Sequence, residues 1–194
     1  MYRKVVIADD EPITRIDIRE TLLEAGYDVV GEASDGFDTI ELCKKHLPNI
    51  VIMDIKMPLL DGINASKIII QEELADCIIL LSAYSDPGFV EKAKKAGVTG
   101  YLVKPLDVKS LVPTLEVALA KSLEMKAMKA KIINVQKKLE GRKSIDRAKG
   151  LLMKNKGITE EEAFSEIRKL SMQKRISMEE ISQIIIMSKH DAQM

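Results

Sequence analysis

The sequence predicts an α/β fold, a five-stranded doubly wound parallel sheet, followed by a coiled-coil helix and a small three-helix all-α domain. Three observations predict it. Short apolar runs alternate with helical patterns through the first 120 residues. Apolar residues then recur at heptad spacing. Finally, two capping boxes open two short helices in the tail.

Lys4–Asp9 is a nearly unbroken apolar run ending in acids, as expected of a parallel strand covered on both faces. A helix follows over Ile13–Ala25, with Pro12 near its start and Gly26 as its stop. Tyr27–Ser34 reads as a strand, Asp35–His46 as a helix, and Ile50–Asp54 as a third strand ending in Asp. Gly62–Glu73 is helical, Cys77–Ser82 a fourth strand, and Pro87–Ala96 a helix closed by Gly97. Gly100–Val103 is a short fifth strand before Lys104-Pro105, and Asp107–Ala120 a fifth helix.

Length and composition agree. The chain has 194 residues, 46% hydrophobic and 31% charged, enough for a core but with no run of ~18 apolar residues to cross a bilayer. The first ten residues carry carboxylates where a signal peptide would be apolar, and Cys43 and Cys77 are the only cysteines. No disulfide framework is possible, and a reducing cytoplasm is the expected compartment. Net charge is zero overall but unevenly placed. Residues 1–120 hold 13 Lys and Arg against 20 Asp and Glu, a net of −7, and residues 121–194 hold 17 against 10, a net of +7. An acidic half joined to a basic half suits a regulatory domain on a polyanion binder.

In doubly wound sheets the site lies beyond the carboxyl ends of the strands. Those ends carry Asp9, Asp10 and Glu11, then Asp54, Ser82 and Lys104. Crowded carboxylates repel, which raises their pKa values or requires a cation. Oxygen donors without His or Cys point to Mg²⁺ rather than zinc. A carboxylate beside Mg²⁺ can attack phosphorus to give an aspartyl phosphate, with a Lys and a hydroxyl holding the equatorial oxygens. Each residue alone has an ordinary reading: a helix cap, a solvated ion, a turn hydroxyl. The set in order does not. Glu11 has no assigned role.

Asp9-Asp10, Asp54 with Met57-Pro58 and Asp61-Gly62, Ser82-Ala83, and Lys104-Pro105 resemble the receiver domain of two-component response regulators over residues 1–120. The resemblance implies that Asp54 is the phosphoacceptor for a sensor histidine kinase. It implies Mg²⁺ held by Asp10, Asp54 and the backbone carbonyl of Lys56, with Asp9 positioning metal-bound water. Lys104 would pair with phosphoryl oxygens ahead of a cis bond to Pro105. Ser82 and Tyr101 would form the switch that couples phosphorylation to the surface.

The remainder reads as two parts, a linker helix over 121–139 and an output domain over 140–194. Met125, Met128, Ile132, Val135 and Leu139 recur at spacings of 3, 4, 3 and 4, a heptad seam that predicts a coiled-coil dimer. From Asp107 the helical pattern has its first break signal at Gly141, and a helix then runs on to about Asn155. Thr159-Glu160-Glu161-Glu162 opens a helix to about Met172, and Ser177-Met178-Glu179-Glu180 opens one to about Ser188. Ala163, Phe164, Ile167 and Leu170, with Ile181, Ile184, Ile185 and Met187, are the expected core.

Ala148-Lys149-Gly150-Leu151-Leu152-Met153, Gly157 through Phe164, and Ile167 through Met172 resemble the ANTAR output domain, which binds RNA in transcription antitermination. Receiver plus ANTAR is similar to the regulators of ethanolamine-utilisation operons. The resemblance implies a dimer, promoted by phosphorylation, that binds tandem hairpins in nascent mRNA and prevents the terminator from forming. Candidate RNA contacts are Lys149, Arg147, Lys154, Arg168, Lys174 and Arg175, with Arg142, Lys143, Lys156 and Lys169 beside them. Lys149 ranks first because Gly150 permits close approach. Two other outputs stand beside this one. A DNA-binding helix-turn-helix is disfavoured because Ser177–Ser188 holds no Lys or Arg. A protein-interaction module would use the same basic face. No acid–base–nucleophile cluster follows residue 120, so the chain is not expected to be an enzyme beyond its own phosphoryl transfer.

Overall fold

In the computed structural model, residues 3–83 and 87–188 are described. They form β1 (Lys4–Ala8), α1 (Pro12–Glu24), β2 (Asp28–Ala33), α2 (Gly36–His46), β3 (Ile50–Asp54), α3 (Gly62–Gln71), β4 (Cys77–Ser82), α4 (Pro87–Ala96), β5 (Gly100–Val103), α5 (Val108–Lys156), α6 (Glu160–Lys174) and α7 (Met178–Met187). The last six residues of the expected output domain lie outside the described residues.

The sheet is parallel, in the order β2-β1-β3-β4-β5. Successive side chains point to opposite faces of a strand, and both faces here are covered. Val6, Ala8, Val51, Met53, Ile78 and Leu80 face a core shared with Ile40, Cys43, Ile63, Ile69 and Ala93 from α2, α3 and α4. Val5, Ile7, Ile50, Ile52, Ile79 and Leu81 face Ile18 and Leu22 of α1 and Leu111, Leu115 and Leu119 of α5. Each fully buried Ile or Leu contributes about 1.5–3 kcal/mol, which explains why nearly unbroken apolar runs become the three central strands. Strand order reverses between β1 and β3, and their aligned registers bring Asp9 and Asp54 to one rim.

The chain divides into two compact units, residues 1–126 and 127–194. α5 contributes its beginning to the first and its end to the second, unbroken over 49 residues. Pro113 lies in its second turn and does not end it. Gly141 does not break the helix either. It is buried, and a Cβ there would come within 2.5 Å of the Glu179 side chain, so the glycine serves close packing against α7. α5 stays attached to the first unit past Leu119. Ser122 donates to the carbonyl oxygen of Asp76, and Lys126 Nζ meets Asp76 Oδ1 at 2.7 Å. Asn49 Nδ2 donates to Asp76 Oδ2 at 2.9 Å. Burial pushes the Asp76 carboxyl up, but Lys126 and Asn49 outweigh it and hold it below the usual range.

The second unit has the expected three-helix core, built from the end of α5, α6 and α7. Ala148, Leu152, Ala163, Ile167 and Ile181 are buried, with Ile158, Leu170, Ile185 and Ile186 packed around them. Both capping boxes form: Thr159 with Glu162, and Ser177 with Glu180. Three expected core positions are not core. Phe164, Ile184 and Met187 are exposed, and Ser182 is buried in their place, its hydroxyl bonded to the Met178 carbonyl oxygen. Helices this short have only a narrow face to bury, so apolar residues at its edge remain in water.

Candidate functional site: an acid rim at the strand ends and a basic output domain

Hydrogen bonds between neighbouring elements fix the strand ends. Asp9 N–H donates to Ala33 O at 3.1 Å, Ile55 N–H to Leu81 O at 2.9 Å, and Lys104 N–H to Ser82 O at 2.8 Å. This lattice delivers one side chain from each of four strands to a cavity of about 200 Å³, lined by Asp10, Glu11, Asp54, Ile55, Lys56, Ser82, Ala83, Phe89 and Lys104. Asp9 lies at its base, fully buried. The peptide bond between Lys104 and Pro105 is cis, as the resemblance implied.

Lys104 is the electrostatic centre. Its ammonium stands 2.7 Å from Asp9 Oδ2 and 2.8 Å from Asp54 Oδ1. Asp9 Oδ2 has no directional hydrogen bond beyond this contact, while Asp9 Oδ1 accepts from the Glu11 amide at 3.0 Å. Asp54 Oδ2 accepts from the Lys56 amide at 2.5 Å. Burial raises the Asp54 carboxyl above the usual range, and the Lys104 hydrogen bond only partly offsets it. The same burial opposes the charge on Lys104, but the two carboxylates outweigh it and raise its pKa. A basic, partly desolvated carboxylate with a fixed ammonium beside it is equipped to attack an electrophilic phosphorus and to hold the oxygens of the group it receives.

The donors suit Mg²⁺ by type, since Asp10 and Asp54 bring carboxylate oxygens to the cavity. Among the described residues no three His, Cys, Asp or Glu side chains converge tightly enough to enclose a metal by themselves. Mg²⁺ takes one or two carboxylates and keeps waters, so this open arrangement fits it.

Ser82 is buried at the end of β4. Tyr101 is half-buried on β5, paired with Leu80 and packed against the α2–α3–α4 core rather than lining the cavity. One contributor, Arg15, carried no sequence signal, while Gly62 belongs to the Asp61-Gly62 motif but with no packing reason visible in the sequence. Arg15 of α1 donates to the Asp9 carbonyl oxygen at 2.6 Å, a cross-link visible only in three dimensions. Gly62 abuts β3 so closely that a Cβ would sit 2.1 Å from the Asp54 carbonyl oxygen.

In α5, Met125, Met128, Ile132, Val135 and Leu139 are each at least half exposed. Among the described residues, this stretch of helix belongs to none of the buried apolar cores. In the second unit Arg147, Lys154, Arg168, Lys174 and Arg175 are exposed. Lys149 departs from expectation. Its side chain is only 15% exposed, and its ammonium lies 2.8 Å from Asp146 and 2.6 Å from Glu160. Its charge is answered inside the unit, where it ties α5 to the start of α6. Gly150 has nothing within 4 Å of a Cβ position, so it is not there for helix packing.

The chain was compared with known proteins. Residues 5–116 match the response regulator receiver domain, and residues 134–186 match the ANTAR domain. The chain belongs to the response regulators. It is 41% identical over 184 residues to the transcriptional regulatory protein PdtaR of Mycobacterium tuberculosis, covering 95% of this chain and 89% of that one. It is 37% identical over 115 residues to the chemotaxis protein CheY of Thermotoga maritima, covering 59% of this chain and 96% of that one. Among solved structures it is similar to the receiver domain of NarL from Mycobacterium tuberculosis, at 31% identity and a TM-score of 0.56, covering 62% of this chain and 96% of that one. It is also similar to the CheX–CheY–BeF3–Mg²⁺ complex of Borrelia burgdorferi, at 28% identity and a TM-score of 0.55, covering 58% of this chain and 86% of that one. This response regulator thus joins a receiver to an output domain of the RNA-binding antitermination type, and neither belongs to an enzyme family. No helix among the described residues is long and apolar enough to cross a membrane.

Proposed function

We propose that a sensor histidine kinase phosphorylates this response regulator on Asp54 in the cytoplasm, and that the phosphorylated chain dimerises and binds tandem hairpins in nascent mRNA to prevent termination. The observation that carries the reading is the Asp54 carboxylate, set between the Lys104 ammonium and the Lys56 amide at the carboxyl-end rim of the sheet.

An Asp54 oxygen forms the bond to phosphorus as the bond from the kinase imidazole to phosphorus breaks, the electron pair leaving with that nitrogen. The Lys104 ammonium, already at the Asp54 oxygen, follows the phosphoryl oxygens. Asp10, Asp54 and the Lys56 carbonyl would hold Mg²⁺, with Asp9 helping to position metal-bound water, and the ion would supply positive charge for the incoming oxygens. The Ser82 hydroxyl reaches the phosphoryl group, and Tyr101 moves inward behind it. That movement is a bistable packing change biased by a local charge.

The apolar stripe from Met125 to Leu139 supports pairing, because a helix this exposed is marginal in water without a partner. Arg147, Lys154, Arg168, Lys174 and Arg175 supply phosphate contacts, and Lys149 shapes the unit that presents them. Ethanolamine-utilisation regulators share this domain order, which makes tandem hairpins the first RNA to try. Gel shifts with a tandem-hairpin RNA, a single hairpin and duplex DNA, each with and without a small acyl phosphate, test the reading. The expected result is tightest binding to tandem hairpins, strengthened by the phosphodonor and weakened linearly in log–log form by salt. Preference for duplex DNA would replace RNA with the helix-turn-helix output.

A further inference from the structure

Phe164 is the only aromatic residue after Tyr101, and it is not in a core. It is 42% exposed on the flank of α6, beside the buried Ala163 and Ile167. An exposed apolar side chain alone needs no explanation. Its surroundings do. Arg168 lies one turn on and Met172 one turn further, both exposed, at the i+4 and i+8 positions of the same helical flank. Arg175 closes the helix with φ +56°, a left-handed conformation that glycine adopts freely and that side chains seldom do. The chain keeps an arginine at that cap.

The charges also differ from those of the paired lysines in the unit. Lys149 and Lys156 are paired with Asp146, Glu160 and Glu166. Among the described residues no carboxylate pairs with Arg168 or Arg175. Glu161 sits at the N-terminal end of the flank, one turn before Phe164, so positive charge increases toward the C-terminal end.

We propose that Phe164 and Arg168, with Arg175 at the helix end, form a ridge on which an unpaired RNA loop base stacks, Phe164 offering the ring face and the guanidiniums the adjoining phosphate contacts. The assignment rests on the RNA-binding reading above and adds the element that reads a loop rather than a duplex. Sequence-selective RNA recognition addresses splayed loop bases, and the surfaces that hold them are aromatic rings and arginine planes side by side.

The test uses the full chain. Hairpin RNAs binding the wild type are first selected from a pool with randomised loops. Affinities are then measured for wild type, Phe164→Leu and Phe164→Tyr, with 2-aminopurine placed in the loop to report stacking. Phe164→Leu is expected to bind about tenfold more weakly and to lose the stacking quench, and Phe164→Tyr to restore both. Leu keeps the apolar bulk, and circular dichroism with light scattering checks fold and dimer. If the wild type selects no hairpin over duplex, the RNA reading fails and the ridge with it. If the wild type selects hairpins and Phe164→Leu binds them equally well, the ridge alone is overturned. Loss of dimer mass in Phe164→Leu, or failure of Tyr to restore the quench, also overturns it, by assigning Phe164 to packing.

Discussion

Asp54→Asn is expected to abolish covalent labelling by a small phosphodonor and, with it, any phosphodonor-driven gain in dimer. The amide matches the carboxylate in size, and its oxygen can still accept from the Lys56 amide. What it lacks is the charge and the nucleophilic oxygen pair. Lys104 keeps its contact with Asp9, so the ammonium is not stranded, and burying one fewer carboxylate removes a repulsion with Asp9. Stability should therefore change by no more than about 1 kcal/mol, while the chemistry is lost outright. Acid-stable, base-labile label on the chain, followed with Mg²⁺ present, reads the first effect. Light scattering reads the second, because the stripe from Met125 to Leu139 must be covered for mass to double. Label retained at the wild-type level in Asp54→Asn would place the phosphoacceptor elsewhere.

Much of this was legible in the residues because parallel sheets leave an unambiguous trace. Strands buried on both faces must be apolar throughout, so Ile50–Asp54 and Cys77–Ser82 have the bounds their composition indicated, and the half-buried edge strand Gly100–Val103 keeps its expected bounds as well. The rim followed, since topology sends every strand's carboxyl end to one side. Helices were harder. α5 was expected to meet a break signal at Gly141 before running on to about Asn155, yet it is unbroken there, because a glycine costs a helix only about 1 kcal/mol and the flanking turns more than supply it. The interior of the small output domain was least legible. Its helices of 15 and 10 residues have apolar positions on more than one flank, and the sequence pattern alone did not separate Ile167, which is buried, from Phe164, which is not. The ion pairs of Lys149 were hidden for a similar reason. Its two carboxylate partners are 3 and 11 positions away, and the second becomes a neighbour only when α6 folds back. Arg15 acts through the backbone oxygen of Asp9, which no local pattern encodes, and Gly62, although part of the Asp61-Gly62 motif, owes its place to a close approach to β3 that the pattern does not explain.

Gly62→Ala is expected to damage stability and phosphorylation together. Most glycine-to-alanine changes in a helix are favourable, and Gly150→Ala, with open space around its Cβ position, should be neutral or stabilising by up to about 1 kcal/mol. Gly62 is at the first position of α3, where Asp61 caps the helix by accepting from the Asn64 amide at 2.8 Å, and the Gly62 amide donates to Ile55 O at 3.0 Å. The added methyl would meet the Asp54 carbonyl oxygen at 2.1 Å and its carbon at 3.0 Å. The obstacle is backbone within a fully buried strand, so it cannot rotate away. Either α3 slides, breaking the bond to Ile55, or the end of β3 moves. Relief needs a shift of about 1 Å, and backbone displacement against a packed core costs roughly 2–4 kcal/mol. The strand end that would move carries Asp54, and misplacing a reacting group by about 1 Å can slow its reaction on the order of a hundredfold. Urea unfolding should show a lower midpoint for Gly62→Ala than for wild type, and the rate of phosphodonor labelling should fall in the fraction that remains folded. Gly150→Ala measured alongside separates the two meanings of glycine in this chain. If both variants were equally stable and labelled at the wild-type rate, the close approach between α3 and the Asp54 strand would not be what holds the nucleophile in place.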